Sequence, residues 1–293
     1  VCNSRVNVLL QGETGTGKEL IARVIHLNSS FKDEPFVVFD CSAVVATLLE
    51  SELFGHEKGA FTGAETTTMG KIEQAGNGTL FLDEIAQLPL AIQGSLLGFL
   101  QRREYTRVGG TRILKSRCRI IAACNCDLAD KVNKGLFKED LYYRLKVFMI
   151  EVPPLKERIL DTPLLVEHFL NKINRELGTR VTKLQDGVME MLVNQTWKGN
   201  VRELENTIAQ ALVGCRGNVL LKDDIHKLLN AKNRSHKMGL ESYSLAHVEK
   251  IHITNTLSQL QWNKTNSARL LGISLPTLRS KIKKYKIHKS DTQ

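Results

Sequence analysis

Three kinds of hydrophobic spacing follow one another along the chain. The first is a set of short continuous apolar runs, "VNVLLQ" from residue 6, "TLFLD" from 79 and "RIIAAC" from 119. Runs this short and without alternation predict strands buried on both faces. With helical stretches between them they predict a mostly parallel, three-layer α/β sheet. From Leu164 the spacing becomes helical, and "LLVEHFLNKIN", "LQDGVMEMLVNQ" and "VRELENTIAQALV" predict a small helical lid ending near Leu229. "NAKNRSHKMGLES" then has few apolar residues and several turn formers, which predicts a linker. Beyond it Ile253, Leu257 and Leu260 recur at helical intervals, and two shorter helices follow. The resulting division is an α/β region at 1–160, a lid at 161–230, a linker at 231–243 and an all-α domain at 244–293.

The turn after the first strand changes the picture from architecture to chemistry. Gly12, Glu13, Thr14, Gly15, Thr16, Gly17 and Lys18 fit G-x-x-x-x-G-K between a strand and a helix. Glycines there let backbone amides approach phosphates, and the lysine reaches the β and γ groups of a nucleotide such as ATP. Glu19 stands where Ser or Thr would touch magnesium. "TLFLDE" ends in Asp83 and Glu84 at the carboxyl edge of a buried strand, where ligands collect in open α/β sheets. Asp83 is predicted to hold Mg2+ and Glu84 to polarise the attacking water, since positioning and charge stabilisation are most of phosphoryl-transfer catalysis. Taken singly, the loop could be an ordinary Gly-rich turn and the carboxylates a solvated strand end.

The net charge of +10 on 293 residues is uneven. Residues 231–293 hold twelve Lys or Arg against three acids, so nearly all the excess lies at the C-terminal end, as expected where a chain meets a polyanion. Within it, "NKTNSARLLGISLPTLRSKIKKY" (263–285) predicts a helix, a turn at Gly272, and a second helix capped by Ser274 with Pro276 in its first turn. Leu278 and Ile282 face inward. Thr277, Arg279, Ser280, Lys283 and Lys284 face out, the arrangement of a helix-turn-helix whose second helix lies in the major groove. An amphipathic helical pair with solvated lysines is the alternative. No apolar run approaches the ~20 residues that span a bilayer, so no membrane anchor is expected. The six cysteines (2, 41, 118, 124, 126 and 215) lack paired metal spacing and suit reduced thiols in a cytosol. A start at Val1, with strand-like sequence a few residues later, suggests a piece of a longer chain.

With these motifs, "ELFGHEKGAFTGA" (52–64) identifies a resemblance to the sigma-54-dependent bacterial transcriptional activators, or enhancer-binding proteins, of the AAA+ class. "GETGTGKE" resembles that family's Walker A, which itself carries Glu at the last place, and "GTLFLDEI" its Walker B. "FKEDLYYRL" resembles its arginine-finger segment, and "PPLKER" and "WKGNVREL" the stretches that lead into and line the lid. The resemblance implies an AAA+ P-loop fold with helical lid, followed by a Fis-type helix-turn-helix domain. It implies an ATPase with ATP and Mg2+ as ligands. It implies a dimer assembling to a hexamer or heptamer in the bacterial cytoplasm, acting on sigma-54 RNA polymerase holoenzyme while bound to enhancer DNA at palindromic sites.

Residue by residue, the resemblance assigns Gly59, Ala60, Phe61, Thr62, Gly63 and Ala64 to contact with the sigma factor. From the residues alone, Phe61 would more commonly fold into a core. Asn125 falls at sensor I, Arg202 at sensor II against the γ-phosphate, and Arg144 at the finger that enters a neighbouring subunit's site. Two departures stand out. Lys138 replaces an Arg of the finger segment, and lysine lacks the planar two-pronged contact of guanidinium. Asp40 replaces an Asn that holds the catalytic Glu between turnovers, which sets a carboxylate near Glu84. The family also carries a helix and strand before this point that help hold adenine. A nucleotide-sensing DNA-binding repressor with little ATPase activity is the alternative function, and relatives of that kind tend to lack the signature loop.

Overall fold

In the computed structural model, which describes residues 4–43, 45–215, 217–237, 245–285 and 287, the apolar run before the phosphate loop forms β1 (Val8–Gln11) and the loop opens α1 (Lys18–Leu27). There follow β2 (Phe36–Asp40), α2 (Ala46–Phe54) and a small antiparallel pair, β3 (Gly55–His56) with β4 (Thr68–Met69), that encloses the signature loop. Next come α3 (Lys71–Ala75), β5 (Thr79–Asp83), α4 (Leu90–Arg102) and a second hairpin, β6 (Glu104–Tyr105) with β7 (Leu114–Lys115). The region closes with β8 (Arg119–Cys124), α5 (Leu128–Asn133), α6 (Glu139–Leu145) and β9 (Phe148–Glu151).

Five strands form one sheet in the order β2-β5-β8-β1-β9, each pair parallel. Alternate side chains feed two layers, which is why these strands read as unbroken apolar runs. Leu9, Leu80, Leu82, Ile120 and Ala122 pack against one helical layer that includes Leu96 and Phe99 of α4. Val8, Leu10, Phe81, Ile121 and Ala123 pack against Ala22 and Ile25 of α1. Burying each such Leu or Ile fully contributes about 1.5–3 kcal/mol. Because all five strands run the same way, their carboxyl ends share an edge. Gln11 stands beside Cys124 there, and Asp40 beside Asp83.

Gly94 and Gly98 sit inside α4, where an exposed glycine would cost about 1 kcal/mol relative to Ala. Both are half-buried. A Cβ on Gly98 would stand 2.8 Å from Arg102 Nη2, and one on Gly94 3.7 Å from Lys138 Cε, so long cations lie across the helix where side chains are missing.

The lid consists of α7 (Thr162–Leu177), with Pro163 in its first turn, β10 (Lys183–Leu184), α8 (Val188–Val193), α9 (Asn200–Gly214), β11 (Val219–Leu220) and α10 (Lys222–Lys237). β10 and β11 pair in parallel. One expectation needs correcting: the linker at 231–243 begins inside α10, which runs to Lys237. Residues 231–237 contain neither Gly nor Pro, so nothing in the backbone stops the helix there. The remainder of that linker, 238–243, lies outside the described residues, as does Cys2. The other five cysteines are free thiols.

By contacts the chain divides into Val1–Leu228 and Leu229–Gln293. In the second unit α11 (Leu245–Gln259), α12 (Lys264–Leu270) and α13 (Leu275–Lys284) surround Ile253, Leu257, Ala268, Leu278 and Ile287. Asn263 caps α12 by accepting from Asn266 N, and Ser274 caps α13 by accepting from Thr277 N. Gly272 supplies the left-handed turn between them at φ 66°. Among the described residues no helix is long and apolar enough to cross a membrane.

Candidate nucleotide site and signature loop

The phosphate loop wraps the start of α1. Gly12 N donates to Cys124 O at 3.2 Å, anchoring the loop to the neighbouring strand. Lys18 is buried, and its Nζ donates to the carbonyls of Gly12 (2.8 Å) and Glu13 (3.1 Å). Thr16 is buried too, its Oγ1 donating to Glu13 O at 2.8 Å. Gly15 and Gly17 have φ of 79° and 97°, conformations that favour glycine. Nothing lies within 4 Å of a Cβ built on Gly17, which leaves the loop open to a ligand on that side. Glu19 lines the same cleft while its carboxylate pairs with Arg23 one turn along α1, at 2.7 Å.

A cleft of about 380 Å³ opens beside the loop. It brings Thr14, Gly15, Gly17 and Lys18 together with Asp40, Asp83, Glu84, Asn125 and Arg202, so the residues expected to act on a nucleotide converge from four sheet strands' ends and the lid. Burial pushes the Asp83 and Glu84 carboxyls above their ordinary range; Lys18 opposes the shift and the Asp40 charge adds to it. Asp40 itself accepts from Ser42 N at 2.8 Å and from Ser42 Oγ at 2.7 Å. Glu84 has left-handed backbone, φ 50° and ψ 46°, a strain of about 1–3 kcal/mol that recurs at functional positions. Its Oε2 is buried with no hydrogen-bond partner among the described residues.

That orphan oxygen, the open glycine cradle and the strand-end Asp83 fit a nucleotide with magnesium. The ion is commonly held by one or two carboxylates and the substrate's phosphates. Among the described residues no group of three or more His, Cys, Asp or Glu could hold a metal unaided.

Two polar groups close the cleft. Asn125 Nδ2 donates to Thr14 Oγ1 at 3.3 Å, and Arg202 enters from the first turn of α9 while its backbone N donates to Gly15 O at 3.2 Å. Arg144 is not part of this group. It is exposed on α6, with Nη2 donating to Leu100 O at 3.2 Å near the C-terminus of α4. Lys138 caps the same helix and its backbone N donates to Gln93 Oε1 at 2.8 Å. Asn200, which is buried two residues before Arg202 and reaches the phosphate loop, escaped the sequence-based expectations; its only signal was a Gly-Asn pair ahead of "VREL".

The signature loop stands on the β3–β4 pair. Gly59 (φ 82°) and Gly63 (φ 101°) have no atoms within 4 Å of a built Cβ and turn the chain at either side of Phe61. Gly59 N donates to Ala64 O at 2.9 Å and Ala64 N to Phe61 O at 3.0 Å. Phe61 is neither in a core nor free: it is 37% exposed, and its ring meets the His56 ring edge-on at 5.0 Å. Thr62 is exposed. Ala64 corrects the expectation that all six loop residues face a partner, because these turns fold it into the base of the loop, where it is 7% exposed.

Below the tip, Arg107 of the β6–β7 hairpin donates to Glu57 Oε1 and Glu73 Oε1, both at 2.9 Å. Thr67 Oγ1 donates to the other Glu57 oxygen. The two loops are in close contact, since a Cβ on Gly109 would lie 2.7 Å from Ala60 Cβ.

In the C-terminal unit Thr277, Arg279, Ser280, Lys283 and Lys284 are all exposed, and Leu278 is fully buried. Glu249 of α11 accepts from Lys281 Nζ and, at 2.5 Å, from the Tyr285 hydroxyl, which fixes α13 against α11.

Three family descriptions match consecutive parts of the chain: "Sigma-54 interaction domain" at residues 1–151, "AAA+ ATPase lid domain" at 156–241 and "Bacterial regulatory protein, Fis family" at 244–285. The regulatory protein AtoC of Escherichia coli (strain K12) is 43% identical over 98% of this chain, and the Nif-specific regulatory protein of Azotobacter vinelandii is 43% identical over 96%. The chain spans 64% and 54% of the lengths of these two relatives. Among solved structures, NtrX from Brucella abortus superposes with a TM-score of 0.80 at 30% identity, over 98% of this chain and 65% of that one. The same protein in complex with ADP and with ATP superposes at 0.79 and 0.76.

Proposed function

Because the chain belongs to the sigma-54 interaction domain family and continues into an AAA+ lid and a Fis-type helix-turn-helix, we propose that it is an ATP-hydrolysing transcription activator. In this reading it works as a ring-forming oligomer bound to enhancer DNA and remodels the closed promoter complex of sigma-54 RNA polymerase. The carrying observation is the convergence of Lys18, Asp83, Glu84, Asn125 and Arg202 on one cleft in the unit that also presents Phe61.

In the chemistry this supports, the amides of residues 13–18 and Lys18 Nζ hold the β and γ phosphates. Asp83 would hold Mg2+, which when bound neutralises charge on phosphate oxygens. Glu84 Oε2 orients the attacking water and accepts its proton as the water oxygen bonds to the γ-phosphorus; the bond from the γ-phosphorus to the bridging oxygen breaks, and ADP and phosphate leave. Burial makes Glu84 a stronger base than an exposed carboxylate. Asn125 positions Thr14 at the cleft's edge, and Arg202 reads the γ-phosphate. Arg144 is exposed and outside its own subunit's cleft, which suits a charge supplied to a neighbour. Phe61 and Thr62 then engage the sigma factor, and the outward face of α13 reads DNA.

The test is capture of purified sigma-54 by the protein loaded with ADP and aluminium fluoride, wild type against Thr62→Ala. Capture by the wild type and loss in the variant are expected. A wild type that fails to retain sigma-54 ends the activator reading.

A further inference from the structure

Asn200 opens α9 where the lid meets the phosphate loop. It is fully buried, with φ 53°, a left-handed conformation that Asn adopts more readily than other side-chain-bearing residues. Its Nδ2 donates to Glu13 Oε2 at 3.0 Å and to Thr14 O at 3.1 Å, while its Oδ1 accepts from Leu155 N at 2.7 Å. A backbone carbonyl can only accept and a backbone amide can only donate, so these partners fix which way the carboxamide points. Both of its donors are committed to the loop, and its acceptor to the segment joining the sheet to the lid. An aspartate of the same shape would offer no donors.

The adjoining backbone is held as closely. A Cβ on Gly15 would lie 2.3 Å from Gly199 O, and Arg202 N donates to Gly15 O. The first turn of α9 thus rests on three successive loop residues, 13, 14 and 15, and Arg202 leaves that turn to line the cleft. From the other side Lys156 Nζ reaches Glu13 Oε1 at 3.4 Å and Arg158 Nη2 donates to Thr16 O at 2.8 Å. The Asn200 side chain touches both the loop and the connection.

We propose that Asn200 is a positioning residue for nucleotide discrimination: by tying the first turn of α9 to the phosphate loop and to Leu155, it sets where Arg202 stands and thereby the preference for a triphosphate over a diphosphate. This rests on the reading of Arg202 as the group that meets the γ-phosphate. A residue that only held the fold together would weaken both nucleotides alike. One that aims Arg202 weakens the triphosphate selectively.

The test is calorimetric titration of the whole chain with adenylyl imidodiphosphate and with ADP. Wild type is compared with Asn200→Gly, which admits the left-handed backbone and removes the side chain with its three hydrogen bonds, with Arg202→Ala and with the double variant. Asn200→Gly should lower the triphosphate-to-diphosphate affinity ratio by about tenfold and leave ADP affinity within about threefold, and the double variant should be no worse than Arg202→Ala alone. Equal weakening of both nucleotides, or additive losses in the double variant, overturns the proposal. If Arg202→Ala itself leaves the ratio unchanged, the γ-phosphate reading falls and the proposal with it, a result distinct from failure of Asn200 alone. Should Asn200→Gly not fold, Asn200→Asp with and without Glu13→Gln decides. The aspartate repels Glu13 and should lower the ratio, and adding Glu13→Gln restores a donor and should recover part of it; no recovery overturns the proposal.

Discussion

Replacing Gly15 by Ala burdens the protein twice, whereas replacing Gly17 by Ala burdens it once. Both residues have left-handed φ, 79° and 97°, where an L side chain costs about 1–2 kcal/mol. A Cβ on Gly17 has nothing within 4 Å. On Gly15 it would stand 2.3 Å from Gly199 O, about 0.7 Å inside the 3.0 Å that real contacts respect. Both atoms belong to or spring directly from backbone, so no rotamer relieves the clash and the lid must move off the loop. Overpacking of this kind adds about 1–3 kcal/mol, giving about 2–5 kcal/mol for Gly15→Ala against about 1–2 kcal/mol for Gly17→Ala. The assay is urea unfolding without nucleotide, followed by tryptophan fluorescence. The chain has two tryptophans, Trp197 and Trp262. In a Trp262→Phe background the signal comes from Trp197, which is buried, donates from Nε1 to Leu192 O at 2.9 Å and lies two residues before Gly199. Equal losses in the two variants would refute the close approach of lid and loop.

Glu84→Gln should end ATP turnover yet raise the thermal midpoint at about pH 7.5. An acid whose folded pKa is raised destabilises the fold above that pKa, and the penalty vanishes as pH falls below its ordinary 4.5. A gain that stays constant down to acid pH in scanning calorimetry would contradict this. Arg107→Ala leaves Glu57 and Glu73 without their shared cation, so capture of sigma-54 should fall roughly tenfold while ATP turnover persists; unchanged capture would show that the clamp does not steady the loop. Asp40→Asn replaces the carboxylate beside Glu84 with an amide able to donate to it, so basal hydrolysis should drop several-fold, and identical rate-versus-pH profiles would dismiss a role for Asp40. Lys283→Ala and Lys284→Ala should each weaken DNA binding evenly across sequences and reduce the salt slope by about 1. A change in sequence preference, measured by fluorescence anisotropy, would instead mean base contact.

Much of the nucleotide cleft was legible because its chemistry is local in sequence. The motif is eight consecutive residues that run from the end of a strand into the first turn of a helix, and Asp83 and Glu84 end an unbroken apolar run. The helix-turn-helix was legible for the same reason, with Ser274, Pro276 and Gly272 marking its turn. Asn200 was not, since its role depends on a positive φ and on a partner 187 residues away. Arg107 was hidden likewise, because its two glutamates are 34 and 50 residues distant and no periodicity links them. The burial of Ala64 follows from turns at Gly59 and Gly63 that fold back on themselves, and a pattern of polar and apolar letters cannot express that. The overrun of α10 into the expected linker shows the converse: scarce apolar residues and polar turn formers such as Asn and Ser do not by themselves stop a helix when neither Gly nor Pro interrupts it.

The edge-on meeting of Phe61 with His56 has a consequence for how the tip can be moved. An aromatic pair of this kind contributes about 0.5–1.5 kcal/mol beyond the area it covers, only one to three times the thermal energy. Such a contact tilts a balance and cannot bolt a door. In the proposed activator, a slight displacement at the foot of the hairpins, where Ala60 and Gly109 touch, would be enough to change how often the ring leaves His56.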